Sequence, residues 1–188
     1  MSSPMVRAIL EGKKIQTRRA VRLNAAGRVE KGGRNWHVED AAAVIACPYG
    51  QAGDELWVRE TWAPCNYFGR EDVIGSPIYR ASFPPTADER HDAGMIQEPS
   101  RWRPSIFMPR AASRITLRIT DVRVELLQDI SEADAIAEGA KKCLLPMNPA
   151  YEDRRYTAGF GRLWESINGN GSWDQNPFVW AISFERTK

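Results

Sequence analysis

Between Ser113 and Leu126 apolar residues alternate with polar ones, but the alternation changes parity part-way. Ile115, Leu117 and Ile119 sit at odd positions, whereas Val122, Val124 and Leu126 sit at even ones. Alternation with period two marks a strand with one buried face. A straight strand would therefore turn one of the two triplets to water. One extra residue near Asp121, inserted as a bulge or sharp bend, returns all six side chains to one face, and bends of this kind close small barrels. This feature predicts a long, bent strand in a mainly β fold.

The remaining elements are read around it. Phe178 to Phe184 is apolar on both faces until Ser183, as a central strand is. Ser131 to Glu138 reads as a helix capped by Ser131, with Asp134 in the capping-box position and Gly139 ending it. Thr157 to Asn168 reads as a second helix, with Phe160, Leu163, Trp164 and Ile167 on one stripe. At the N-terminus Ser3 is the expected cap, Pro4 the first helical residue, and Met5, Ile9 and Leu10 the apolar stripe that stops at Gly12. Glu55 to Trp62 alternates like a strand that places Glu60 with Leu56, Val58 and Trp62. A carboxylate there needs a partner, such as a buried Arg19, or must be held protonated. Asn24 to Gly53 reads as a surface excursion. Pro64 to Ala112 holds seven of the 12 prolines and reads as an insertion with one short strand at Ile78 to Ala81. With no βαβ rhythm and no internal repeat, the expectation is one α+β domain over residues 1–188: a small, mainly β barrel with peripheral helices and an insertion at about 64–112.

Composition narrows the function classes. At 188 residues, 43% hydrophobic and 10% aromatic, the chain has enough apolar surface for one core. No apolar run approaches the ~20 residues of a bilayer span, and Arg7, Glu11, Lys13 and Lys14 interrupt any signal-peptide core, so a cytoplasmic location is expected. Cys47, Cys65 and Cys143 are widely spaced, with no CxxC pair, which fits neither a disulfide framework nor a zinc cluster. The net charge of +2 argues against a protein that coats long duplex DNA. The basic residues are 20 Arg against 6 Lys, and guanidinium groups suit bidentate contact with carboxylates, phosphates and base edges. Strand parity exposes Arg114, Arg118 and Arg123 as a row that could meet phosphates, or simply be a solvated barrel face.

The chemistry available is limited. His37 and His91 are the two histidines, both outside regular elements, and neither a P-loop nor GxGxxG occurs. A hydroxyl activated by something other than histidine remains. Lys14 and Thr17 are three residues apart near the end of the first helix, where their side chains could converge, and Arg18 and Arg19 beside them would lower a lysine pKa. Spacing of this kind also occurs at ordinary solvated helix ends.

The run Gly12-Lys13-Lys14-Ile15-Gln16-Thr17-Arg18-Arg19, followed by Gly53-Asp54-Glu55-Leu56-Trp57-Val58-Arg59-Glu60-Thr61-Trp62, resembles the ASCH-domain family, a PUA-like β-barrel group. The chain is most similar to phage and prophage ASCH-like proteins through Trp102 to Ile106, Met108-Pro109-Arg110, Ala112 to Leu117, Asp129 to Gly139, and Trp164 to Trp180. Phe107 and Ala111 depart from the His and Trp common in that loop.

What the resemblance implies is a pocket facing RNA or a modified nucleoside. Some small bacterial ASCH proteins remove the acetyl group from N4-acetylcytidine without a metal, using a lysine, a threonine and a glutamate. Those roles fall on Lys14, Thr17 and Glu138: Lys14 takes the Thr17 proton, Thr17 attacks the acyl carbon, and Glu138 positions the exocyclic nitrogen. Arg18, Arg19, Glu60, Trp62, Arg110 and Arg114 are the candidates for substrate or RNA contact. Trp62, Trp102, Trp164, Trp173 and Trp180 are expected in the core, and any that line a pocket offer base stacking of ~1–3 kcal/mol. No metal, cofactor or membrane is expected as a partner. A non-catalytic RNA-binding module and a ribonuclease are the other two readings.

Overall fold

The structure, a computed structural model, describes residues 1–64, 77–84, 86, 88, 99, 101–144 and 155–188. Cys65, His91 and much of the expected insertion lie outside the described residues. The chain divides into two compact units, one made of Met1–Glu11, Trp57–Thr116 and Lys188, the other of Gly12–Leu56 and Leu117–Thr187.

The larger unit is built on four strands, β1 (Gln16–Ala20), β4 (Glu55–Trp57), β7 (Thr116–Leu126) and β8 (Phe178–Arg186), in the order β1-β8-β7-β4. They form a curled half-barrel in a mainly β fold with few helices. β8 lies between β1 and β7, antiparallel to both, as its two-sided apolarity requires. β7 is the bent strand of the parity argument, and its register on β8 shifts between Ile119 and Asp121. The shift does what the sequence demanded: Ile119, before it, and Val122 and Val124, after it, join one core with Trp180 and Ile182.

Cross-strand partners share a face, so the register sorts β1. Thr17 opposite Ile182 and Arg19 opposite Trp180 belong to the face that bears that core. Gln16 opposite Ser183 and Arg18 opposite Ala181 belong to the other, with Val179. Over the first face close Val29, Val38, Ala43, Ala46 and Cys47. They come from a segment read as a surface excursion, which instead contains a hairpin of β2 (Arg28–Lys31) and β3 (Arg34–His37) and a 3-10 turn at Ala41–Ala46. The hairpin was legible in Gly32-Gly33, whose φ values of +59° and +76° suit a two-residue turn between twisted strands.

Against the second face pack α2 (Glu132–Ala137) and α3 (Arg155–Asn168), whose Ala135, Phe160 and Trp164 meet Val179. Ser131 caps α2 by accepting from Asp134 N at 3.0 Å. The start of α3 is satisfied from outside the helix: Glu132 accepts from the backbone N–H of Tyr156 at 2.9 Å and of Thr157 at 2.6 Å. Gly159 cannot carry a side chain, because a Cβ there would lie 1.9 Å from the Lys141 carbonyl oxygen.

The smaller unit holds α1 (Ser3–Leu10), whose N-cap position is Ser2 rather than Ser3 and has no side-chain cap bond, and a pairing of β5 (Trp62–Pro64) with β6 (Pro77–Tyr79). The expected single strand over Glu55 to Trp62 is broken at its middle, where Val58 N turns to Ile115 O and Glu60 is drawn to Arg114. Among the described residues no helix is long and apolar enough to cross a membrane.

Candidate active site

Lys14 follows a turn at Gly12, whose φ of +70° takes the chain out of α1 and into β1. Thr17 therefore lies inside a strand and not at a helix end, because the segment pairs with β8. Ile15 O accepts from Phe184 N and Val21 N donates to Phe178 O, so the odd residues of β1 face β8 and the carbonyls of Gln16 and Arg18 face outward. The Lys14 ammonium sits at that outer edge. Its three donors go to Gln16 O at 2.8 Å, Glu138 O at 2.7 Å and Glu138 Oε2 at 2.7 Å. Glu138 ends α2, and Gly139 with φ +76° turns the chain away behind it.

Residues 14 and 138, which the resemblance assigned to one site, thus form a buried ion pair, each side chain 4% exposed. Burial lowers the Lys14 pKa below 10.5 and the Arg19 and Arg18 charges add to that, against an opposing pull from Glu138. The amine is anchored on the peptide unit that joins Gln16 to Thr17. The Thr17 side chain is buried on the other face from Gln16 and Arg18, and it makes no hydrogen bond to another described residue.

Around the pair lies a layer of charge that the sequence reading did not assemble. Arg18 is buried and bonded to Glu125, Gln16, Asp134 and Glu138. Gln16 Nε2 donates to Asp134 Oδ1 and Ser183 Oγ, both at 3.1 Å. Arg123 reaches Asp134 and Glu125 at 3.4 and 3.5 Å. Burial pushes the Asp134 carboxyl up, but hydrogen bonds from Gln16 and Ser131 and the charges of Arg18 and Arg123 outweigh it and hold it below 3.8. Lys14, Arg18 and Arg123 balance Glu125, Asp134 and Glu138. A signal for this layer was present in the alternation: Gln16 and Arg18, and likewise Arg123 and Glu125, are the out-of-core partners of their strands.

The other candidates are placed differently. Arg19 is exposed and donates from Nη1 to Arg18 O at 2.8 Å, so it is not the partner of Glu60. That partner is Arg114, which forks onto the buried carboxylate through Nε at 2.9 Å and Nη2 at 3.0 Å because both lie in the smaller unit. Arg114 also donates to Ser82 Oγ at 2.8 Å and stacks 4.0 Å from the centre of the Tyr79 ring. The expected row of Arg114, Arg118 and Arg123 is accordingly not one row. Arg114 precedes β7 and is committed to Glu60, Arg123 is committed to carboxylates, and Arg118 is exposed. Trp62 is buried with Arg103 over its ring, and Arg110 and Arg59 lie over Trp57 at 5.6 and 4.6 Å. Trp164 and Trp180 are buried; Trp102 and Trp173 are half-buried. His37 is exposed in β3.

No family model, no curated protein and no solved structure matches the chain.

Proposed function

We propose that the chain is an ASCH-type, PUA-like protein that hydrolyses an acyl amide on the exocyclic nitrogen of cytidine. One observation carries the reading: Lys14 and Glu138, 124 residues apart, meet at 2.7 Å in a buried pair whose amine is tied to the peptide leading into Thr17. The lowered lysine pKa brings the neutral amine, the form that can take a proton, toward the working pH.

In this reaction the Thr17 hydroxyl, which is not bonded to Lys14 in the resting chain, must turn to Nζ and give it its proton as Thr17 Oγ1 bonds to the acyl carbon. Collapse of the tetrahedral adduct breaks the C–N4 bond, and the Lys14 proton goes to the departing nitrogen, which Glu138 holds. Water then attacks the ester carbon and gives one proton to Lys14; the Oγ1–acyl bond breaks, Lys14 returns that proton to Thr17 Oγ1, and the acyl group leaves as the carboxylic acid. The test is cytidine release from N4-acetylcytidine, followed by chromatography. Wild type turns over, Thr17→Ala abolishes release without unfolding, and Thr17→Ser keeps part of it. A wild-type chain that releases no cytidine overturns the proposal.

A second reading, an RNA-binding module without catalysis, draws on the exposed Arg59 and Arg110 that flank Trp57. It predicts retention of single-stranded RNA with no turnover, weakened by Arg110→Ala.

A further inference from the structure

Glu138 is held from two sides. Oε2 faces Lys14 Nζ at 2.7 Å, and Oε1 faces Arg18 Nη1 at 3.3 Å. Arg18 is itself locked in place. Its Nε donates to Glu125 Oε1 at 3.0 Å and its Nη2 bonds the same oxygen. Nη2 also lies 3.4 Å from Asp134 Oδ2, Nη1 donates to Gln16 Oε1, and the Phe160 ring lies 5.9 Å from the guanidinium carbon. The charged groups that act on Lys14 are Glu138, Arg18 and Arg19. Those facing Arg18 are Glu125, Asp134 and Glu138, with Arg123 beyond the first two.

We propose that Arg18 is a positioning residue for the Lys14–Glu138 pair: it turns one Glu138 oxygen to the amine and supplies a fixed positive charge beside Lys14. The inference rests on the reading of that pair as the reacting groups. A guanidinium does not lose its proton in a protein and its planar fork sets direction as well as charge, neither of which a flexible ammonium provides. Its positive charge beside the site favours amine over ammonium at Lys14. Glu125 and Asp134 hold the fork from the side away from Glu138, so that the Arg18 charge is fixed before any substrate arrives.

The experiment is a pH titration of Lys14 by proton–carbon NMR on the full chain labelled at its six lysines, the signal being assigned with Lys14→Arg. Arg18→Gln is expected to raise the Lys14 midpoint by about half a pH unit, and Glu125→Gln to lower it by less. Were Arg18 a packing residue alone, both variants would unfold at lower temperature while the midpoint stayed in place, and the proposal would fall. If Arg18→Gln does not fold, Glu125→Gln decides by sign: a downward shift supports the role, and no shift or an upward one overturns it. The titration needs no turnover, so a wild type that releases no cytidine refutes the hydrolase while leaving this result readable. Where cytidine is released, the acid limb of kcat moves with the Lys14 midpoint.

Discussion

Among the described residues two buried carboxylates, Glu138 and Glu60, are paired with cations, and the pairs differ in how their far ends are treated. Glu138 and Lys14 are both closed off, at 4% exposure each, whereas Glu60 is closed at 2% and its Arg114 is open at 27%. In the first pair neither charge can turn to water if the other is lost. In the second the arginine can, and its stem and face still rest on Tyr79. A pair with one open end is a clamp for the backbone around it. A pair with two closed ends has no such outlet, so each member depends on the groups buried with it.

The largest effects come from breaking the closed pair. Glu138→Leu strands the buried Lys14 and should cost about 3–5 kcal/mol in urea unfolding; Lys14→Met leaves Glu138 facing Arg18 and should cost less, and the double variant should cost far less than their sum. The open pair should be lopsided: Arg114→Leu strands the buried Glu60 and costs about 2–3 kcal/mol, whereas Glu60→Gln leaves a solvated guanidinium and costs about 1 kcal/mol. Equal losses from the two would erase the distinction drawn above.

Acidity sharpens it further. The Asp134 carboxyl lies below 3.8, so its stabilisation is complete above that value and disappears as pH falls through the lower folded pKa. Asp134→Asn should flatten this acid limb of the stability curve. Lys14 acts in the other range: the unfolded chain binds the extra proton between the lowered folded value and 10.5, so stability rises with pH there, and Lys14→Met should remove the rise. The smallest effect belongs to the open clamp, where Ser82→Ala removes one bond at an exposed position and should cost about 0.5–1 kcal/mol.

How far the sequence could be read depended on whether the information was local. The parity change around Asp121, the Ser131 cap and the two-sided apolarity of Phe178 to Phe184 are local, and each has its counterpart in the register or the cap. The hairpin at Gly32-Gly33 was local as well, but its strands are too short and polar to show periodicity. Strand β1 was hidden because its alternation is carried by Gln16, Thr17, Arg18 and Arg19, polar on both faces. The network of Arg18 with Glu125 and Asp134 joins residues more than 100 positions apart, and no spacing rule reaches that far. Lys14 and Glu138 were named together through family resemblance, not through any pattern in the residues themselves. The partner of Glu60 was misassigned for a related reason, since Arg19 and Arg114 are equally plausible until the chain is folded.

The terminal position of β1 carries a consequence of its own. A strand at the margin of a sheet is an invitation to a foreign strand, because its outward carbonyls await donors. Here two of those acceptors, on Gln16 and Arg18, are already occupied by Lys14 and Arg19, cations from the same stretch of chain. An invading segment would have to evict two positive charges before forming its first rung, so the cations that furnish the site also guard the molecule against zipping onto copies of itself.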